Sequence, residues 1–421
     1  MNIQRVYVDG FKNLSNINLI LDDITALISI NNYGKSNVIK AIYFGFEFIK
    51  KKNNERKLLL SDSNLIPINI CKTNTPYKFE VEARVSVDKV AKYFVYGYVC
   101  KWNNGYEPEI LSEYLKIKQE GKGQKYTQVL IRDSDKAFYK SSETGRCTTE
   151  LKIESLELSI NKMQAFDNLY YHDIIKGIND LKIYMESDLD ADYYFLPDPI
   201  INKNESEIEI NSSNLPRLIY NLKNYDKRKF SLLKNAFCVL FPSIEDIIVK
   251  QFRIENETNM LQENSPFSFA NAVYVLFVKD KNLLHPINFS LMSDGAKRVF
   301  MIMTKILVAS SSHVSLITLE EPENSVHPGL FRDYIQTISG ILDDCKVIIT
   351  SHSPYVISYL DPQKVYVGVS DKPGVAEFHS FTKSGIKALE EDSSTLKISM
   401  GDYLFSMLAD ESNEWTNYLE C

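Results

Sequence analysis

Lys35 and Ser36, the turn Ser293-Asp294-Gly295, the carboxylates Glu320 and Glu321, and His352 are the residues of this chain whose types and spacing suit chemistry. Gly34-Lys35-Ser36 follows a polar turn, Asn31-Asn32-Tyr33, which itself follows an apolar run from Ala26 to Ile30. Val38, Ile39, Ala41 and Ile42 then recur at helical spacing. Strand, tight turn and Gly-Lys-Ser at a helix start form the context that a phosphate-binding loop requires. Backbone N–H groups at such a helix N-terminus point at an anion, and the helix dipole favours it. Lys35 would reach the β- and γ-phosphates of a nucleotide, and the Ser36 hydroxyl would ligate Mg²⁺.

The loop departs from the usual pattern at two positions. Asn32 stands where glycine is frequent, and asparagine tolerates the left-handed conformation such a turn needs. Ser29 stands where the pattern has glycine, and its Cβ is expected to crowd the phosphates. Alone, the stretch also fits an ordinary strand-turn-helix that contains Gly-Lys-Ser by chance. Residues far downstream separate the two readings.

Leu291-Met-Ser-Asp-Gly-Ala-Lys-Arg298 opens an apolar helix, Val299 to Ala309, and its Ser-x-Gly turn offers hydroxyl, N–H groups and dipole to an anion. Val314 to Leu319 reads as a buried strand ending in Glu320-Glu321-Pro322-Glu323. Two carboxylates at a strand end are costly to hold without a cation or substrate, and they suit Mg²⁺ coordination with polarisation of an attacking water. Lys346 to Ser351 is a further buried strand, followed by His352. A helix cap, an acidic turn and a structural histidine would each explain one piece. Their order, all at strand ends after Gly-Lys-Ser, points to one nucleotide site.

The remainder must position these groups. The 421 residues, 44% hydrophobic and 24% charged, are ordinary for a globular protein of two or three domain equivalents. A net charge of -7 argues against coating nucleic acid by bulk electrostatics. Cys71, Cys100, Cys147, Cys238, Cys345 and Cys421 are scattered without a CxxC pair, which suggests reduced thiols in a cytoplasmic protein. No secretory signal pattern, bilayer-length apolar run, internal repeat, HExxH or GxSxG motif is present.

Ile3 to Leu14 and Ile17 to Leu21 read as a strand pair, Ser36 to Lys50 as a helix, and Lys78–Val87, Tyr93–Cys100 and Gln128–Arg132 as strands. The basic run Lys50, Lys51, Lys52, Arg56 and Lys57 reads as a solvated helix end, with a nucleic-acid contact as the alternative. Gly121–Gly123 and Ser141–Thr149 read as loops. From Leu151 the period becomes helical through Ile183; a polar loop, Asn202 to Ser213, precedes a second helical block, Leu215 to Leu240. Its Lys223, Lys227, Arg228, Lys229 and Lys234 suit a solvated face or a basic groove. Strands return at Ile247–Val249 and Ala272–Val278. The expected domains are an N-terminal lobe, 1–150; a helical insertion, 151–240; a C-terminal lobe, 241–370; and a tail, 371–421, suited to a partner contact.

These motifs in series resemble an ABC-type ATPase head of the SMC/RecF-like class, in particular the OLD-like AAA family ATPases of prokaryotes. Over residues 1–100 and 215–370, Gly10-Phe11-Lys12 is similar to that class's opening hairpin. Asn31 to Asn37 is similar to its Walker A loop, Ser293-Asp294-Gly295 to the signature, Leu316 to Glu321 to Walker B, and Asn324 to His327 to the D-loop. The resemblance implies an α/β head with a P-loop core, an antiparallel β subdomain and a helical insertion. It implies ATP contacts from Asn31, Asn32, Gly34, Lys35, Ser36, Asn37 and the signature turn. Ser36 and Glu320 would serve Mg²⁺, Glu321 would activate water, and His352 would sense the γ-phosphate. Glu320 stands where ABC ATPases usually have aspartate, and the glutamine of the Q-loop is not assignable.

The resemblance further implies a head-to-tail homodimer around ATP, the signature of one copy capping the nucleotide of the other. The chain lacks long heptads, and the roughly 70 residues after His352 are too few for the TOPRIM nuclease of OLD proteins. The expected function is an ATPase switch or scaffold controlling a separate effector, a nuclease or toxin. ATPase subunits of PARIS- and Septu-type anti-phage systems are of this kind. A RecF-like ATPase that grips DNA and a non-hydrolysing scaffold are the alternatives.

Overall fold

The computed structural model describes residues 1–67, 69, 71–72, 74–87, 90–121, 123–186, 191–202, 210, 214–254, 267–370, 372–409 and 413–420. In chain order the chain forms β1 (Asn2–Asp9), β2 (Ile17–Ile20), β3 (Ile24–Ile28), α1 (Lys35–Lys50), α2 (Asn53–Leu60), β4 (Tyr77–Val87), β5 (Val90–Lys101) and β6 (Glu109–Gln119). Next come β7 (Thr127–Asp133), β8 (Lys136–Lys140), β9 (Cys147–Leu151), α3 (Ser159–Met163), α4 (His172–Asn179), β10 (Lys182–Glu186) and β11 (Ile200–Asn202). Then α5 (Leu215–Tyr225), α6 (Lys227–Leu240), β12 (Ile244–Arg253), β13 (Phe267–Phe269), β14 (Ala272–Asp280), β15 (Ile287–Asn288), α7 (Asp294–Ser311) and β16 (Val314–Glu320) follow. The last elements are α8 (Pro328–Ile341), β17 (Lys346–Ser351), α9 (Tyr355–Tyr359), β18 (Val365–Gly368), β19 (Phe378–Ser380), α10 (Lys383–Leu396) and α11 (Met400–Ala409).

The expected α/β class is the class observed. The chain forms two compact units. The first holds Met1–Met185, Ser315–Glu320 and Asp344–Cys421, and the second holds Glu186–Val314 and Glu321–Asp343.

Two sheets build the first unit. One is antiparallel, in the order β2-β1-β4-β5-β6-β7-β8-β9; the other runs β10-β16-β17-β3-β18-β19, with β16, β17, β3 and β18 mutually parallel. Parallel strands bury both faces, which is why β3 and β17 read as almost unbroken apolar runs. The antiparallel strands instead alternate: Phe79, Val81 and Ala83 are buried while Glu80, Glu82 and Arg84 face outward. Val38, Ile42, Phe46 and Phe48 of α1 share one core with Phe79, Phe94 and Tyr98 of that sheet and with Leu316 and Ile348 of β16 and β17. The buried Tyr77 and Trp102 spend their polar atoms on the Ala41 and Gly10 carbonyls, both at 2.8 Å.

Several elements differ from expectation for physical reasons. The helical period from Leu151 yields only the short α3 and α4, and Ile183 lies in β10, because Leu158, Ile160, Ile174 and Ile178 are spent on the core of the first unit. The sequence pattern does not mark β6, β8, β11, β13, β15 or β19, and β9 begins at Cys147, inside the loop expected at Ser141–Thr149; in β8, for example, Lys136 and Lys140 flank a short apolar centre. The polar loop expected at 202–213 lies, apart from its first residue and 210, outside the described residues, as does Cys421.

The basic run after α1 also differs. Arg56 is 1% exposed: it donates to the carbonyls of Phe48 at 2.9 Å, Ile49 at 3.0 Å and Leu156 at 2.9 Å, and to Asn161. The guanidinium fork thus caps the C-terminal carbonyls of α1 and ties them to the strand-to-helix loop before α3, while Lys50, Lys51 and Lys57 pair with Glu47, Glu55 and Glu107.

In the second unit β12, β14 and β15 form an antiparallel sheet and β11 pairs with β13. Phe237, Phe289 and Phe300 pack ring to ring between α6, the short turn before α7, and α7 itself. Asp226 ends α5 and caps α6 by accepting from the Lys229 N–H at 3.0 Å. Lys223, Lys227 and Arg228 are exposed, whereas Lys229 donates to the Ser310 and Ser311 hydroxyls and Lys234 pairs with Asp246.

Replacing Arg56 with alanine strands the buried carbonyls of Phe48 and Leu156 and leaves that of Ile49 with the Asn161 amide, at 2.9 Å, as its remaining donor. We expect Arg56→Ala to destabilise the first unit by roughly 2–4 kcal/mol in chemical unfolding, and Arg56→Lys to recover less than half of it. Unchanged unfolding midpoints would show that water replaces the fork at no cost.

Candidate functional site

β3 ends at Ile28, and the chain turns through Ser29–Gly34 into α1. The turn needs two unusual backbone conformations. Asn32 sits at φ 60, the left-handed region asparagine tolerates, and Gly34 at φ 139. A Cβ at Gly34 would also lie 2.9 Å from that of Ala376. Asn13 holds the turn from outside, donating to the Tyr33 carbonyl at 2.9 Å and accepting from the Asn37 amide at 2.8 Å.

α1 begins at Lys35 with no side-chain cap and no acidic residue in its first turn. Such an N-terminus presents backbone N–H groups and positive potential to an anion. Lys35 is 8% exposed, and its ammonium donates to the Ser29 carbonyl at 2.9 Å and the Ile30 carbonyl at 3.1 Å. The lysine therefore closes the loop that a phosphate would fill.

Ser29 was expected to crowd the phosphates, and the structure shows where its side chain goes. It is fully buried, donates its hydroxyl to the Ile30 carbonyl at 3.0 Å, and faces β18 at Gly368. A Cβ added at Gly368 would lie 2.7 Å from the Ser29 Cβ and 2.7 Å from the Tyr33 ring. Gly368 makes the room that a glycine at position 29 would otherwise supply.

The sheet register brings the other groups of the first unit alongside. Ile28 pairs with Ser351, Leu27 with Thr350, and Thr350 with Glu320. The loop, Glu320 and His352 thus leave the C-terminal edge of three adjacent parallel strands, where α/β proteins place ligands. Ser36 donates its hydroxyl to the Glu320 carboxylate at 2.9 Å. A hydroxyl and a carboxylate are hard oxygen ligands suited to Mg²⁺. Among the described residues no group of three or more His, Cys, Asp or Glu could hold a metal. The pair fits a Mg²⁺ that phosphate oxygens complete, the usual way this ion is bound. His352 is exposed, just past β17.

Glu321 opens the loop that belongs to the second unit. It adopts φ 46, and its carbonyl accepts from Arg298 at 3.2 Å. Ser325, at φ 64, brings its carbonyl against the start of α7, where a Cβ on Gly295 would lie 2.2 Å from it. Only glycine permits this approach. Ser293 caps α7, its hydroxyl accepting from the Ala296 N–H at 3.4 Å. Asp294 is held by Lys297 at 3.0 Å, and Lys297 also pairs with Asp192. Burial draws the Lys297 pKa down, but the two carboxylates outweigh it and the net shift is upward.

Residues 24–358 match the family model described as “AAA domain, putative AbiEii toxin, Type IV TA system”. The chain belongs to this AAA family. The Ser29–Gly34 turn, β16, the Ser293–Gly295 turn and His352 all fall inside the matched span, while Asn13, Gly368 and the helices α10 and α11 fall outside it. No curated protein matches the chain in sequence. Solved structures similar to it include an SMC head bound to the C-terminal winged-helix domain of ScpA. That match is 12% identical with a TM-score of 0.49, covering 93% of this chain and 100% of the other. They also include the SMC head domain of Thermotoga maritima, 13% identical with a TM-score of 0.41, covering 90% and 99%. The Pyrococcus furiosus SMC head with an extended coiled coil, bound to the C-terminal domain of ScpA, is 12% identical with a TM-score of 0.45, covering 93% and 99%.

Sequence reasoning missed Asn13 and Gly368. Asn13 follows Gly10-Phe11-Lys12, and nothing local marks it as a partner of a turn 20 residues away. Gly368 lies in a strand, where glycine signals close backbone approach. We expect Gly368→Ala to destabilise the protein by about 1–3 kcal/mol through the clash with Ser29 and Tyr33. Adding Ser29→Gly should recover part of that loss in thermal unfolding; strictly additive effects would show that the two positions do not share space.

Proposed function

We propose that this AAA-family chain binds and hydrolyses ATP with Mg²⁺, and that two copies close around the nucleotide to control a separate effector. The observation that carries the reading is the Ser36–Glu320 hydrogen bond, 2.9 Å, beside an uncapped helix N-terminus that bears Lys35. Phosphate would take the place of the two loop carbonyls as partner of the Lys35 ammonium. When bound, Mg²⁺ would neutralise charge on the phosphates. Glu320 and Ser36 would hold the metal, Asn31 to Asn37 would wrap the phosphates, and Glu321 would orient and deprotonate the attacking water. His352 would contact the γ-phosphate from the neighbouring strand end.

In this reading Ser293, Asp294 and Gly295 act on the nucleotide of a second copy, through the Ser293 hydroxyl and the N-terminus of α7. ATP then joins the pair and hydrolysis releases it. The family's description names a toxin–antitoxin system, which suits an ATPase that restrains or releases a toxic partner, here of OLD-like type and in an anti-phage setting. Among the described residues no helix is long and apolar enough to cross a membrane. A RecF-like grip on DNA would draw on the exposed Lys223, Lys227 and Arg228.

Calorimetry with Mg-ATP and sedimentation of the purified chain test the proposal. Lys35→Ala should weaken ATP binding roughly 10- to 100-fold, by loss of charge-assisted hydrogen bonds. Glu321→Gln should keep binding, slow turnover by about 10² to 10⁴-fold and accumulate the ATP-linked pair. ATP binding unaltered by Lys35→Ala would sink the reading. Length-dependent duplex binding with a steep salt slope would favour the DNA alternative.

A further inference from the structure

A cavity of about 500 Å³ lies in the first unit, beside the outer wall of the phosphate-binding turn. Ile30, Asn32 and Tyr33 form one side of it; the turn after β18, with Ser370, forms another; Met407 and Trp415 of the C-terminal segment close it. From this we infer that the cavity receives the nucleobase of the nucleotide whose phosphates the loop holds. The C-terminal segment outside the family match would thereby let the protein recognise a nucleoside triphosphate rather than a bare polyphosphate. The inference rests on the ATP reading above.

Position is the first argument. In the sheet order, β17 and β16 flank β3 on one side and β18 on the other. Glu320 and His352 lie at the strand ends on the β17 side, and the cavity lies on the β18 side. A triphosphate whose terminal group faces Glu320 has its nucleoside directed the other way, across Asn32 and Tyr33 and toward the cavity. The loop residues Asn32 and Tyr33 belong to both places.

Composition is the second. Small-molecule pockets run to roughly 300–1,000 Å³, with mostly apolar walls and a few placed polar groups. Ile30, 45% exposed, gives the cavity an apolar wall. Asn32 offers an amide that both donates and accepts, as the edge of a base requires. Trp415 is 7% exposed, and its ring is fixed by stacking on His379, with centroids 5.9 Å apart and planes at 29°. A ring fixed in this way, and bordering the cavity, reports on what enters it.

Trp415 also makes the test direct, because the chain has only two tryptophans. The other, Trp102, is packed among Phe11, Phe44 and Tyr77 with its N–H on the Gly10 carbonyl, and does not line this cavity. The full chain would be titrated with Mg-ATP, Mg-ADP and Mg-tripolyphosphate, following tryptophan emission and heat together. We expect ATP and ADP, but not tripolyphosphate, to change the emission, and Trp415→Phe to abolish the change. Filling the cavity with Ser370→Trp should weaken ATP by about tenfold or more, the worth of one base-stacking contact, while leaving tripolyphosphate affinity as it was. Should Ser370→Trp misfold, the emission comparison in the unaltered chain decides alone. ATP that binds with an emission change equal to that of tripolyphosphate overturns the inference and leaves the ATP reading standing. Absence of ATP binding overturns both.

Discussion

An ammonium group cannot be held at low exposure without partners, and Lys35 finds two of them on the carbonyls of its own turn. Those hydrogen bonds require the chain to double back within six residues, from Ser29 to Lys35. The doubling back requires a left-handed residue at 32 and a strongly extended positive φ at 34. A turn so tight leaves its outer side to be supported by others, which is the work of Asn13 and Asn37. Even the choice of glycine at 368, more than 330 positions away, follows from the side chain that the turn keeps at Ser29. The loop is built first around a charge, and the surrounding strands are cut to fit it.

The same constraint explains why the site draws on distant sequence. A phosphate needs positive potential on one side and, if it is to be attacked, carboxylate and metal on the other. No single turn can present both without the lysine and the carboxylate neutralising each other in a direct ion pair. Separate parallel strands solve this: β3 delivers the lysine, β16 delivers Glu320, and β17 stands between them. In the described structure Glu320 accepts from the Ser36 hydroxyl at 2.9 Å.

What could be read from the chain alone follows from how local the physics is. β3, β16 and β17 were legible because strands buried on both faces must be apolar throughout, and the loop was legible because its residues are contiguous. The left-handed asparagine was legible for the same reason. Arg56 was misread, since a basic run looks solvated until its carbonyl partners at Phe48, Ile49 and Leu156 come into place. The strand at Lys182–Glu186 was hidden because Ile183 continues the helical period of Ile174, Ile175 and Ile178. Gly368 and Asn13 were silent, because their meaning lies entirely in what approaches them.

The Ser293–Gly295 turn poses one remaining electrostatic question. A carboxylate at Asp294, with its side chain 78% exposed in the first turn of α7, would repel a triphosphate approaching that helix. Within the second unit, Lys297 answers it. One turn on, at 4% exposure, the lysine binds Asp294 and Asp192 together, and these carboxylates hold its pKa above the ordinary lysine value. A group whose pKa is raised on folding contributes its stabilisation below the unfolded value and loses it only as pH climbs past the folded one. Lys297 is therefore charged at every pH at which a nucleotide would be met. Asp294 is then neutralised from beneath, and the Ser293 hydroxyl and the N–H groups of α7 are left to set the potential at the surface. An acidic residue in this turn is thus compatible with an anion-facing role, provided that the lysine remains beneath it.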